Sequence, residues 1–123
     1  MKYLLILLGG GVGSLSRYLV GAAIVTRYGT KFPIVGTMTI NVTGSFLIGL
    51  LMTLITERFG ANSNLRPLLV IGFLGGYTTF SSFEWETYSA VRDGGLWVGL
   101  FNVVGSVTFG YAAVWLGATL ARR

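Results

Sequence analysis

The chain contains no cysteine and no histidine. The first absence excludes disulfides, thiolate metal sites and a thiol nucleophile. The second removes the side chain most used as a general base and metal ligand near neutral pH. Charge is scarce too: 11% of the 123 residues are Asp, Glu, Lys or Arg, where a soluble domain carries about 25%. What fills the space is apolar, with 53% hydrophobic residues and a mean hydropathy of +0.73. This composition is that of an integral membrane protein with little room for a soluble domain. The net charge of +5 is scattered along the chain, as juxtamembrane charge is, and forms no nucleic-acid patch.

The hydropathy pattern predicts four spans, about Tyr3–Val25, Ile34–Thr56, Pro67–Val91 and Leu96–Leu120. Each supplies the ~20 residues needed to cross hydrocarbon, so residues 1–123 read as one four-helix transmembrane domain of the all-α class. Lys2, the apolar run Tyr3 to Leu8 and the small residues through Ser14 have the outline of a signal peptide. The run does not stop at a cleavage site, however, and continues past Arg17 through Val25. The connections Thr26–Pro33, Glu57–Arg66 and Arg92–Gly95 are short, which makes neighbouring helices antiparallel. Pro67 suits the first turn of the third helix, with Asn64 or Ser63 as its cap.

Small residues recur at four-residue spacing: Gly9 and Gly13, Ser45 and Gly49, and Ser106 and Gly110, the last pair followed by Ala113, Gly117 and Ala121. That spacing lets helix backbones approach closely in lipid. Orientation is weakly specified. Lys2, Arg58, Arg66, Arg122 and Arg123 fall on one side, and Arg27, Lys31 and Arg92 on the other. The bias slightly favours cytoplasmic termini and equally permits insertion both ways.

The third span carries Gly75-Gly76-Tyr77-Thr78-Thr79-Phe80-Ser81-Ser82-Phe83. Two glycines can leave helical dihedrals at little steric cost, so a break is expected near Gly75–Thr79. Lipid tolerates broken backbone only where protein buries it or where it lines a wet cavity, and freed carbonyls can ligate sodium. Thr78, Thr79, Ser81 and Ser82 add hydroxyls. Phe80 and Phe83 share a face once the helix resumes, and their electropositive ring edges can hold a small anion without a full positive charge. The plainer reading is two core phenylalanines.

Elsewhere, Arg17 lies deep in the first span, where a guanidinium costs about 2.5–3.5 kcal/mol on insertion scales. It is either an electropositive element on an anion path, an anchor for carbonyls at a helix break, or a side chain snorkelling to the interface. Thr37, Asn41 and Ser45 share one face of the second helix, and Asn102 and Ser106 one face of the fourth. Such rows replace an ion's water shell or hydrogen-bond helix to helix. Glu84 and Glu86, near the end of the third span, are either intramembrane carboxylates of the kind a proton-coupled transporter needs or, as expected here, members of interfacial ion pairs with arginine.

At these residues the sequence resembles the Fluc, or CrcB, family of small fluoride channels. The likeness spans essentially the whole chain: its length, four spans, an arginine in the first, an asparagine in the second, and Gly75 to Glu86 against a family pattern close to G-G-x-T-T-F-S-T-F-S-x-E. Ser82 stands where threonine is usual and Glu84 where serine is usual. The resemblance implies a dual-topology homodimer of antiparallel copies in a bacterial cytoplasmic membrane, with two fluoride pores built from both chains. It implies fluoride contacts at Asn41, Phe80, Phe83 and Ser82, pore roles for Thr79 and Ser106, and Arg17 near the vestibule. It further implies a structural sodium ion at the dimer centre, held by the carbonyls of Gly75 and Thr78 of each chain. The expected function is passive, fluoride-selective export conferring fluoride resistance, with no enzymatic step. The alternatives are a proton-coupled small multidrug exporter, for which the charge in the first span has the wrong sign, and a non-conducting accessory subunit.

Overall fold

The structure is a computed structural model that describes residues 1–30, 33–60 and 63–123. Lys31, counted above among the basic residues of one side, lies outside the described residues. Among the described residues all regular structure is helical. Helix α1 is Lys2–Tyr28, and α2 is Pro33–Leu54 with a π-wound extension, Ile55–Phe59. Helix α3 is the π-wound stretch Arg66–Leu74 together with the turn Gly75–Tyr77 that continues it. Helices α4, Ser81–Arg92, and α5, Leu96–Ala121, complete the chain.

Local chemistry accounts for most boundaries. Helix α2 opens on Pro33, whose fixed φ and missing N–H suit a first helical residue. Pro67 occupies the first turn of α3, as expected, but neither Asn64 nor Ser63 caps it with a side chain. The Leu68 N–H reaches the main-chain carbonyl of Asn64 at 3.3 Å instead, and the Ser63 hydroxyl is buried without a partner. The end of α4 is a tight reversal into α5. Gly94 takes φ 88°, its N–H meets Val91 O at 3.0 Å, and the Gly95 N–H meets Ala90 O at 2.8 Å. This paired arrangement needs a residue that tolerates positive φ.

Lys2–Tyr28, Pro33–Phe59 and Leu96–Ala121 are long and apolar enough to cross a membrane. Their outer surfaces are apolar, with Leu7, Val12 and Leu15 exposed on α1 and Val104, Val107 and Trp115 on α5. Lipid rather than water suits such an exterior. The interior is built the opposite way, from glycine. The most extensive contacts pair α2 with α5 and α1 with α3. In the first pair Gly49 lies against the backbone of Val114, and Gly117 against Phe46 O. In the second, Gly9 lies against Leu68 O and Gly13 against Phe73 O. A methyl group at any of the four would collide with backbone, so the expected small-residue contacts are real.

The break in the third segment differs from the expectation in its cause. Gly75 keeps helical dihedrals (φ −61°, ψ −36°), and the helix continues through Tyr77. The chain becomes extended at Thr78 (φ −79°, ψ 158°), and α4 starts at Ser81. The glycines are therefore not the unwound residues. Gly76 is required for another reason: a Cβ there would strike Gly10 O. The close pairing of α1 with α3 thus runs to the edge of the break and stops.

Candidate functional site

An uninterrupted helix would direct the Thr79 N–H to the Gly75 carbonyl. Here it goes to Asn41 Oδ1 at 2.9 Å, and Asn41 Nδ2 donates back to Thr79 O at 2.9 Å. One amide side chain on α2 therefore satisfies both main-chain groups of a residue in the break. This is what a half-buried, non-helical residue at membrane depth requires. On the other side, Arg17 Nη1 on α1 donates to Thr78 O at 3.1 Å. Of the three readings of Arg17, its placement matches the anchor at a helix break. Thr78 closes the end of α3 itself, since its N–H and hydroxyl both donate to Leu74 O, at 2.9 and 2.8 Å.

These bonds change what the hydroxyls can offer. The Thr78 hydrogen is committed to Leu74, so Thr78 is not a free donor. Thr79 Oγ1 donates to Ser82 Oγ at 3.1 Å and accepts the Ser82 N–H at 3.3 Å, which ties the start of α4 to the break. Ser81 and Ser82 are exposed. Phe80 is 74% exposed while Phe83 is 7% exposed, and their rings meet at 5.7 Å with a 43° tilt. The two phenylalanines are adjacent, but one points into the subunit and the other away from it.

A cavity of 370 Å³ opens beside the break, lined by Asn41, Ser45, Gly75, Thr78, Thr79 and Phe80 among others. It gathers six of the residues singled out by sequence. It does not include Phe83, Ser106 or Arg17. Phe83 and Ser106 belong to a second group, between α4 and α5, centred on Asn102. The Asn102 side chain is fully buried, at 0% exposure. Its Nδ2 donates to Thr87 Oγ1 at 2.8 Å, and Thr87 Oγ1 donates to Phe83 O at 2.8 Å. Ser106 Oγ donates to Asn102 Oδ1 at 3.4 Å. Thr87 was not singled out from the sequence. Its only signal there is a hydroxyl one helical turn beyond Phe83.

Glu86 also departs from expectation. It makes no ion pair with arginine; Thr37 Oγ1 donates to its Oε1 at 2.6 Å, and its Oε2 is buried without a partner. Glu84 is exposed, and among the described residues neither glutamate forms a salt bridge. The ion pairs present join Arg122 to Glu57 and Arg92 to Asp93. Helix α4 turns Glu86 back toward the start of α2, where the buried Thr37 lies, so a hydroxyl rather than a guanidinium is within reach. Thr37, Asn41 and Ser45 therefore share a face of α2 but divide between two places.

The carbonyls suit a hard cation in part. Gly75 O has lost its usual helix partner, and the space around Gly75 is open, with nothing within 4 Å of a Cβ placed there. Thr78 O already accepts one guanidinium hydrogen and retains a second lone pair. Oxygen donors without thiolate or imidazole suit a hard ion such as sodium rather than a transition metal.

The comparison with known families decides the kinship. The model of the family described as CrcB-like protein, Camphor Resistance (CrcB), matches residues 4–118. The chain belongs to the CrcB family. Among its relatives, the "Fluoride-specific ion channel FluC" of Solibacter usitatus is 70% identical over 123 residues, covering 100% of both chains. Proteins of that name from Coxiella burnetii (47% identical, 100% of this chain and 99% of the relative) and Acidobacterium capsulatum (45%, 100% and 98%) align as fully. With its apolar helices, this CrcB protein is a multi-pass membrane protein.

Proposed function

We propose that this CrcB protein is a fluoride-selective channel that lets fluoride leave the cytoplasm passively. The observation that carries this reading is the full-length, 70% match to a relative named as a fluoride-specific ion channel. The chemistry of the break supports it. Fluoride holds water strongly, and a path for it must offer replacement donors. The second Asn41 amide hydrogen, the Ser82 and Ser106 hydroxyls and the edges of Phe80 and Phe83 are such donors. Thr79 contributes by tying Ser82 to the break. Arg17 acts through Thr78, holding the break open while adding positive potential nearby. No bond is made or broken in the ion, so the protein is not an enzyme. Neutral HF that enters and dissociates supplies the anion, and the inside-negative potential drives it out.

We further propose that the working unit is an antiparallel homodimer in the bacterial cytoplasmic membrane. In it, α3 and α4 together make the third of four crossings of each copy. The exposure of Phe80, Ser81 and Ser82 at the break supports a partner surface there, and the weak charge bias suits both orientations. A sodium ion between the copies would be held by the Gly75 and Thr78 carbonyls of each, neutralising those oxygens as a structural link. A proton-coupled exporter finds no support in α1, whose charged residues are Lys2, Arg17 and Arg27, with no acid among them.

Expression in a bacterium lacking its own fluoride exporters tests the function. Growth on otherwise inhibitory fluoride, and none with empty vector, is expected. If the protein reaches the membrane and growth is not restored, the reading fails.

A further inference from the structure

The hydrogen bonds around Asn102 have a forced direction. A carbonyl can only accept, so Phe83 O obliges Thr87 to donate its one hydroxyl hydrogen. Thr87 Oγ1 must then accept from its other neighbour, so the Asn102 amide turns its nitrogen toward Thr87 at 2.8 Å. Its oxygen must therefore face Ser106. Ser106 in turn places its hydrogen on Asn102 Oδ1, and that contact is the weak one, at 3.4 Å. The chain starts from a strong fixed acceptor and ends in a loosely held hydroxyl. Asn102 is fully buried and cannot exchange these partners for water, so its orientation is locked from the Thr87 end.

We propose that Thr87 and Asn102 are positioning residues for the anion path: together they hold the Ser106 hydroxyl poised, with its hydrogen parked on Asn102 Oδ1 and free to swing to a passing fluoride. The same bonds hold the Phe83 carbonyl, and so the start of α4, in place. A hydroxyl held at 3.4 Å surrenders its hydrogen more readily than one held at 2.8 Å. Had the amide been oriented the other way, its N–H would donate to Ser106. Ser106 Oγ would then be an acceptor, and its own hydrogen would have no resting partner on Asn102 to hold it in place. The proposal rests on the reading of the protein as a fluoride channel and adds to it two residues that touch no ion.

The test uses purified full-length protein in liposomes, with efflux expressed per correctly assembled unit. Thr87→Val keeps the shape but removes both the acceptor for Asn102 and the donor to Phe83, releasing the amide to turn. Fluoride efflux is expected to fall about fivefold to tenfold, the rate equivalent of one hydrogen bond. Thr87→Ser, which restores the hydroxyl, should stay within about twofold of wild type on the same basis. Because Thr87 acts through Ser106, the double variant Thr87→Val with Ser106→Ala should be no slower than Ser106→Ala alone. A readout on the unaltered protein does not depend on any variant folding. Titrating fluoride into the wild-type protein should move the Asn102 side-chain carbonyl carbon resonance, and chloride should leave it still. Wild-type efflux in Thr87→Val, equal impairment in Thr87→Ser, additive losses in the double variant, or an Asn102 resonance indifferent to fluoride would each overturn the proposal. In the last four cases wild-type protein still conducts, and the channel reading stands; a wild type that passes no fluoride removes both.

Discussion

Asn41→Asp separates the two jobs of the Asn41 amide. The carboxylate keeps an acceptor for the Thr79 N–H, but its other oxygen now faces Thr79 O, which the amide nitrogen had contacted at 2.9 Å. A half-buried carbonyl left without its donor costs about 1–3 kcal/mol. A carboxylate within a span adds about 2.5–3.5 kcal/mol on insertion scales. Partial exposure of Asn41 argues for the lower half of each range, which gives a loss of about 3.5–5 kcal/mol at neutral pH. Protonation reverses most of it. A neutral carboxyl donates its O–H to Thr79 O and accepts from the Thr79 N–H, restoring both bonds, and carries no charge. The residual cost at low pH should be about 0–1 kcal/mol. The sign follows from proton binding. The protonated form recovers both bonds with Thr79 and the ionised form does not, so the variant's stability relative to wild type rises as pH falls. Thermal loss of folded protein in detergent, followed by size-exclusion chromatography at pH 4.5 and 7.5, reads this out for Asn41→Asp, Asn41→Leu and wild type. Asn41→Leu should be destabilised equally at both values. If Asn41→Asp is as stable as wild type at neutral pH, or is no better at low pH, the amide is not clamping the break.

Three further outcomes are expected. Phe80→Ile should abolish most fluoride flux with little loss of stability, since Phe80 is exposed, whereas Phe83→Ile should lose flux and also roughly 1–2 kcal/mol of stability from its buried site; unchanged flux in both, measured per folded unit, would remove the rings from the path. Gly76→Ala should destabilise the protein by roughly 1–3 kcal/mol, because its methyl group meets the backbone of Gly10. Gly11→Ala, whose methyl group meets nothing within 4 Å, should be neutral or slightly stabilising, and equal melting of the two variants would contradict the packing of α1 on α3. Finally, a cysteine introduced at the C-terminus should be labelled from both sides of intact cells in comparable amounts, and labelling from one side alone would rule out antiparallel pairs.

Hydropathy was enough to locate Lys2–Tyr28, Pro33–Phe59 and Leu96–Ala121 to within a few residues, because long apolar stretches have few other homes. Four-residue spacing of small side chains was likewise sufficient to find the contacts of Gly9, Gly13, Gly49 and Gly117. The break was legible as a region but not in its cause. Gly75 and Gly76 invited an unwinding that occurs at Thr78, because the constraint on Gly76 comes from Gly10 on another helix, and the release comes from Asn41 and Arg17. None of these partners is near in sequence. Glu86 illustrates the same limit: rules for carboxylates near helix ends point to arginine, while the bundle brings Thr37 on α2 to it. Thr87 was invisible for a related reason. A threonine one turn beyond Phe83 is unremarkable until α5 places Asn102 against it.

Fluoride efflux from liposomes containing only the purified protein is the measurement closest to the main conclusion. A fluoride-selective electrode and a chloride electrode would follow parallel preparations under a potassium gradient with valinomycin. Rapid fluoride release, with chloride retained for as long as in protein-free liposomes, is the expected result. Fluoride retained by liposomes shown to contain folded protein, or chloride released as fast as fluoride, would contradict it.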